Sequence, residues 1–136
     1  MTLLTGHCAC GSVTFEVTEA PVSVGYCHCT RCQRRTGSAA AISATVPPGG
    51  LRILTGEELV AAWAPEGGWA KCFCSDCGGA LWSRGPDGSA GVRLGALDGD
   101  PGLRPQWHQF VAYAAPWEPL PDDGLPRYPE RRPPGT

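Results

Sequence analysis

The chain has 136 residues, a formal net charge of -2 and 42% hydrophobic residues. This length supports one domain with a modest core, and the hydrophobic content excludes a disordered chain. The weak negative charge, with Lys71 the single lysine, weighs against duplex DNA or an anionic membrane as partner.

Nineteen glycines and fourteen prolines, without any period, point to short strands joined by many turns. No apolar run reaches the ~18 residues a membrane span needs. The start, Met1 to Cys8, shows neither the basic head nor the apolar stretch of a signal peptide, so the expectation is a cytoplasmic protein. In a reducing compartment, eight cysteines read as metal ligands before disulfides.

Residues 12–18 alternate, with Val13, Phe15 and Val17 on one side and Thr14, Glu16 and Thr18 on the other, as in a half-buried strand. Val22, Val24 and Tyr26 repeat the pattern and lead into Cys27. One short helix is expected near residues 30–36, with Thr30 as cap, Gln33 completing a capping box and Gly37 as the left-handed stop. Further strands are expected over 39–46 and 51–54, split by the turn Pro47-Pro48-Gly49-Gly50. Residues 57–64 have helical propensity, but the turn Pro65-Glu66-Gly67-Gly68 favours a hairpin with a strand from Trp69 to Cys74. Strands over 80–83 and 92–94 flank Gly85-Pro86-Asp87-Gly88, and one more is expected from Trp107 to Tyr113. After Trp117 the chain turns proline-rich. The expected organisation is a single domain over 5–128 and a flexible tail over 129–136.

The cysteines fall into three groups. Cys74 and Cys77 have C-x2-C spacing, and Gly78 after them allows the positive φ that turns N–H groups toward sulfur. Such a half-site wants a second pair. Cys8 and Cys10, separated by one residue and followed by Gly11, supply it if the chain there is extended and both side chains point the same way. Cys8, Cys10, Cys74 and Cys77 therefore make a closed, structural four-thiolate zinc site. Its apparent binding energy, on the order of 10 kcal/mol, would matter for a thin core.

Cys27, Cys29 and Cys32 can wrap three thiolates around a second ion. Three protein ligands with an open fourth position form the catalytic pattern for zinc. The spacing alone also allows a structural site closed by Cys72, His28 or His108. It matches no standard iron–sulfur run. Cys72 otherwise reads as a small buried apolar residue. Arg31, Arg34 and Arg35 beside the group either form a solvated helix face or dock substrate carboxylates. His28 sits between two ligands, points elsewhere if they converge, and reads either as a substrate-side group or as one that supports the ligands from behind. His108 lies in an expected strand, where a lone histidine is commonly structural.

Three blocks in order carry a resemblance. They are Gly6-His7-Cys8-Ala9-Cys10-Gly11-Ser12-Val13-Thr14-Phe15, Cys27-His28-Cys29-Thr30-Arg31-Cys32-Gln33-Arg34 ending at Thr36-Gly37, and Phe73-Cys74-Ser75-Asp76-Cys77-Gly78. Later markers are Gly95-Ala96-Leu97-Asp98, then Pro105 before His108, then Pro116-Trp117. From about residue 5 to 128 the chain resembles the glutathione-dependent formaldehyde-activating enzyme family, whose domain is shared with centromere protein V. The resemblance implies a mainly β, β-tent-like fold of antiparallel sheets around two zinc ions. One zinc is structural, on Cys8, Cys10, Cys74 and Cys77. The other is of catalytic type, on Cys27, Cys29 and Cys32.

The resemblance further implies carbon–sulfur lyase chemistry, the reversible addition of a glutathione-like thiol to formaldehyde or a related aldehyde. The expected site then comprises Cys27, Cys29, Cys32, His28 and His108 for chemistry, with Arg31, Arg34 and Arg35 for substrate. The competing readings are a non-catalytic zinc module for a protein or nucleic-acid partner, and a thiol redox or metal sensor. The sequence leaves the oligomeric state open.

Overall fold

The computed structural model describes residues 1–136. Its strands are β1 (Leu4–His7), β2 (Thr14–Val17), β3 (Ser23–Cys27), β4 (Ala41–Val46), β5 (Leu51–Thr55), β6 (Val60–Trp63), β7 (Ala70–Cys74), β8 (Ala80–Arg84), β9 (Ala90–Arg93) and β10 (His108–Gln109), with one α-helix, α1 (Thr30–Thr36). The fold is mainly β. It resolves into two compact units: Met1–Ser23 with Ser43–Leu103, and Val24–Ile42 with Arg104–Thr136.

In the first unit β2 pairs antiparallel with both β1 and β5. The alternation over 12–18 buries Val13, Phe15 and Val17 as expected. Phe15 meets Trp82 edge to face, with centroids 5.3 Å apart, within a core that also holds Leu81, Val46 and Val92. Gly6 of β1 lies opposite Phe15. A Cβ there would stand 2.3 Å from the Phe15 ring and 2.5 Å from the Ala96 carbonyl oxygen, so this strand can lie on the core only with glycine.

An antiparallel meander of β6, β7, β8 and β9 continues the unit, and the Ser43–Val46 part of β4 pairs with β9. The hairpin reading of residues 57–74 holds. Glu57–Leu59 is a short 3-10 turn, after which β6 pairs with β7 from Val60↔Cys74 to Trp63↔Lys71. Helical propensity over these few residues yields to strand pairing.

In the second unit β10 runs parallel to β3, pairing His108 with Tyr26 and Gln109 with Cys27. The strand expected over 107–113 is therefore only two residues long. Phe110 takes a left-handed φ of 57°, which breaks the extended run, and Val111–Tyr113 winds into a 3-10 turn.

Helix α1 ends at Gly37 (φ 69°), as expected, but its N-cap is Cys29 rather than Thr30. The Cys32 N–H donates to Cys29 Sγ, and Gln33 Nε2 donates to the carbonyls of His28 and Tyr113 instead of closing a capping box. Residues 128–130 accept backbone hydrogen bonds from Val111, Ala112 and Phe110, and the Arg132 guanidinium lies 4.6 Å above the Trp107 ring.

Candidate metal centres and their surroundings

The first unit brings Cys8, Cys10, Cys74 and Cys77 together, with all four Sγ atoms within 4.8 Å of one another. Cys8 Sγ lies 3.6 Å from Cys10 Sγ, and Cys10 Sγ lies 3.9 Å from Cys74 Sγ across 64 residues of sequence. A tetrahedral ion with zinc–sulfur bonds of about 2.3 Å requires sulfurs about 3.8 Å apart, so the spacing fits a four-thiolate zinc.

The local backbone explains the convergence. Cys8 and Cys10 sit in a turn rather than in extended chain, closed by the Gly11 N–H to the Cys8 carbonyl (3.1 Å). The tight turn, with Gly11 at φ 81°, replaces the strand-like geometry expected from the one-residue spacing. Val13 N–H points at Cys8 Sγ (3.3 Å), and Gly79 N–H points at Cys77 Sγ (3.4 Å). Gly78, at φ 74°, makes the second approach possible. The Gly79 and Cys10 backbone N–H groups hold the Cys77 thiol down at about 6, which favours the thiolate a metal needs. Beside this centre His7 Nδ1 contacts Asp98 Oδ1 at 2.7 Å, and Thr5 donates to Asp98 Oδ2 at 2.7 Å.

The second unit brings Cys27, Cys29 and Cys32 together within the same limit. Strand β3 delivers Cys27, and the start of α1 delivers Cys29 and Cys32. Hydrogen bonds from Cys27 and then Cys32 lower the Cys29 thiol, while Cys32 is driven up by Cys27 and Cys29. Three sulfurs packed together share negative charge badly, which is the situation a divalent cation relieves.

None of the residues considered as a fourth ligand joins this group. Cys72 is buried in the first unit's core beside Cys74, Leu81 and Trp82, consistent with an apolar role. His28 and His108 face each other instead, with His28 Nε2 and His108 Nδ1 2.8 Å apart. None of the seven cluster cysteines is in a disulfide.

His108 is fully buried, stacked on Tyr26 with centroids 4.4 Å apart and planes 5° apart. Its Nε2 lies 2.8 Å from Asp123 Oδ2. Burial, then the neighbouring His108 and Arg127, push His28 below the ordinary imidazole value. The His108 hydrogen bond and the Leu125 N–H hold Asp123 below the ordinary carboxylate value. Sequence reasoning missed Asp123. Its only local signal is the Asp-Gly-Leu turn, closed by the Leu125 N–H to Asp123 Oδ1 at 3.0 Å.

Arg31, Arg34 and Arg35 stand at positions i, i+3 and i+4 of α1 and so share one helix face. Arg34 and Arg35 also lie in its last turn, where positive charge suits the helix dipole.

No helix is long and apolar enough to cross a membrane. A crystal structure of a Rhodobacter sphaeroides protein is similar to this chain at 25% identity and a TM-score of 0.60, covering 91% of this chain and 98% of that one. No curated protein is significantly similar to the chain. Residues 3–113, which contain all eight cysteines and both clusters, match the family described as glutathione-dependent formaldehyde-activating enzyme. The chain belongs to that family.

Proposed function

We propose that the chain binds two zinc ions and is a carbon–sulfur lyase that adds a small, glutathione-like thiol reversibly to formaldehyde or a related aldehyde. One observation carries the reading: the first cluster offers four sulfurs and the second offers three with no fourth His, Cys, Asp or Glu. A closed four-thiolate site supports architecture, whereas three ligands leave a position for an exogenous donor. Family membership supports the thiol and aldehyde as substrates.

Cys27, Cys29 and Cys32 are the residues that would hold the second ion. When bound, zinc there supplies stabilisation of a substrate thiolate near neutral pH. The arginine face of α1, Arg31, Arg34 and Arg35, docks the carboxylates of the thiol, which arginine does bidentately. His28 and His108 serve the proton. In the forward direction the thiol sulfur forms a bond to the aldehyde carbon, the carbonyl π pair moves to oxygen, and the proton lost from sulfur ends on that oxygen. The reverse breaks the carbon–sulfur bond and returns the proton to sulfur. Thiolate ligands suit a reducing, cytoplasmic setting.

Exchange NMR on glutathione, smaller carboxylated thiols and formaldehyde tests the reading. We expect protein purified without chelator to speed interconversion of free and hydroxymethylated thiol. A rate equal to that with chelator-stripped protein for every thiol contradicts it and favours a non-catalytic zinc module.

A further inference from the structure

Three side chains form a hydrogen-bonded line that ends beside the second cluster. Asp123 Oδ2 lies 2.8 Å from His108 Nε2, and His108 Nδ1 lies 2.8 Å from His28 Nε2. His28 stands in sequence between Cys27 and Cys29. The line is rigid. His108 is fully buried and His28 nearly so, and Tyr26 stacks on His108. The Asp123 segment is stitched to β10 by His108 N–H to the Pro126 carbonyl (2.9 Å) and Tyr128 N–H to the His108 carbonyl (2.8 Å). The second carboxylate oxygen is taken by the Leu125 N–H.

The donor and acceptor inventory then allows one neutral arrangement. An ionised carboxylate only accepts, so His108 Nε2 carries its proton toward Asp123. His108 Nδ1 is therefore bare and accepts from His28 Nε2–H. His28 Nδ1 is left as a bare nitrogen, able to accept a hydrogen bond from a ligand thiol or hydroxyl.

We propose that Asp123 is a positioning residue that fixes, through His108, the tautomer and ring orientation of His28 beside Cys27, Cys29 and Cys32. The effect on rate rests on the lyase reading; the tautomer does not. Asp123→Asn is the informative change. The Leu125 N–H requires an oxygen at the Oδ1 position, which places the new amide N–H2 against His108 Nε2. That donor reverses the line: His108 Nε2 becomes the acceptor, His108 Nδ1 the donor, and His28 moves its proton to Nδ1.

The test is 15N imidazole NMR at neutral pH on protein purified without chelator, with His7→Gln to assign the remaining histidines. We expect His28 protonated on Nε2 in the wild type and on Nδ1 in Asp123→Asn, with the exposed neighbour variant Asp122→Asn unchanged. In the exchange assay Asp123→Asn should lower kcat about tenfold or more with KM nearly constant, the size typical of losing such an orienting partner. A wild-type His28 protonated on Nδ1 overturns the proposal even if the variant does not fold. So does a folded Asp123→Asn protein with an unchanged His28 spectrum. Absence of exchange in the wild type removes the lyase reading, while the nitrogen spectra still decide the role of Asp123.

Discussion

Cys29 has two parts in the structure. Its sulfur belongs to the three-cysteine group, and the same sulfur accepts the Cys32 N–H that caps α1. Serine is among the better N-cap residues, so Cys29→Ser keeps the cap while removing a soft ligand. Cys74 differs: it is fully buried at the end of β7 and reaches Cys10 from the far side of its cluster. We expect Cys29→Ser to stay within about 1 kcal/mol of the wild type in stability while losing one zinc and the exchange activity. Cys74→Ser should cost several kcal/mol or prevent folding, because it opens a closed metal site and buries a hydroxyl. Thermal unfolding with metal analysis on both variants checks the contrast. Unfolding of the Cys29→Ser chain would mean that the second centre is structural.

At the scale of elements, much of the fold follows from short-range rules. The alternation around Phe15, the glycine stop at Gly37 and the turn at 65–68 each predict an element correctly because the local pattern agrees with the tertiary packing. The failures also have local causes. The Cys8–Cys10 pair obeys a turn closed by Gly11, and no periodicity reveals that. The cap moves to Cys29 because a sulfur can take the place of a hydroxyl as acceptor. Strand β10 stops at two residues because Phe110 adopts a left-handed backbone, normally the province of glycine.

The pairing of β3 with β10 also depends on a size restriction the sequence hides. A Cβ at Gly25 would lie 2.3 Å from the Trp107 ring, so the indole needs the bare backbone of β3. Gly25→Ala should therefore destabilise the second unit by at least 1–3 kcal/mol, roughly the cost of overpacking, as read by denaturant unfolding. An unchanged midpoint would show that Trp107 has room to move.

Across the whole molecule, each compact unit contains one cysteine cluster. Both clusters are legible in the sequence because converging cysteines have a spacing signature, and in the first cluster Gly11 and Gly78 follow the tight turns. The Asp123 line is not legible, because it joins residues 28, 108 and 123 through side chains that no local pattern connects. The thin apolar core of the first unit is built on Phe15, Leu81, Trp82 and four valines, so an ion held by its four cysteines would be energetically significant. The second unit brings together three cysteines with no fourth His, Cys, Asp or Glu, which on the proposed reading leaves one position for an exogenous donor.

Zinc absorption spectroscopy combined with metal counting, on protein purified without chelator, addresses this difference most directly. We expect two zinc ions per chain and an average of about 3.5 sulfurs per zinc, with the remaining shell supplied by lighter atoms. Four sulfurs around every zinc, or a single zinc per chain, would contradict it.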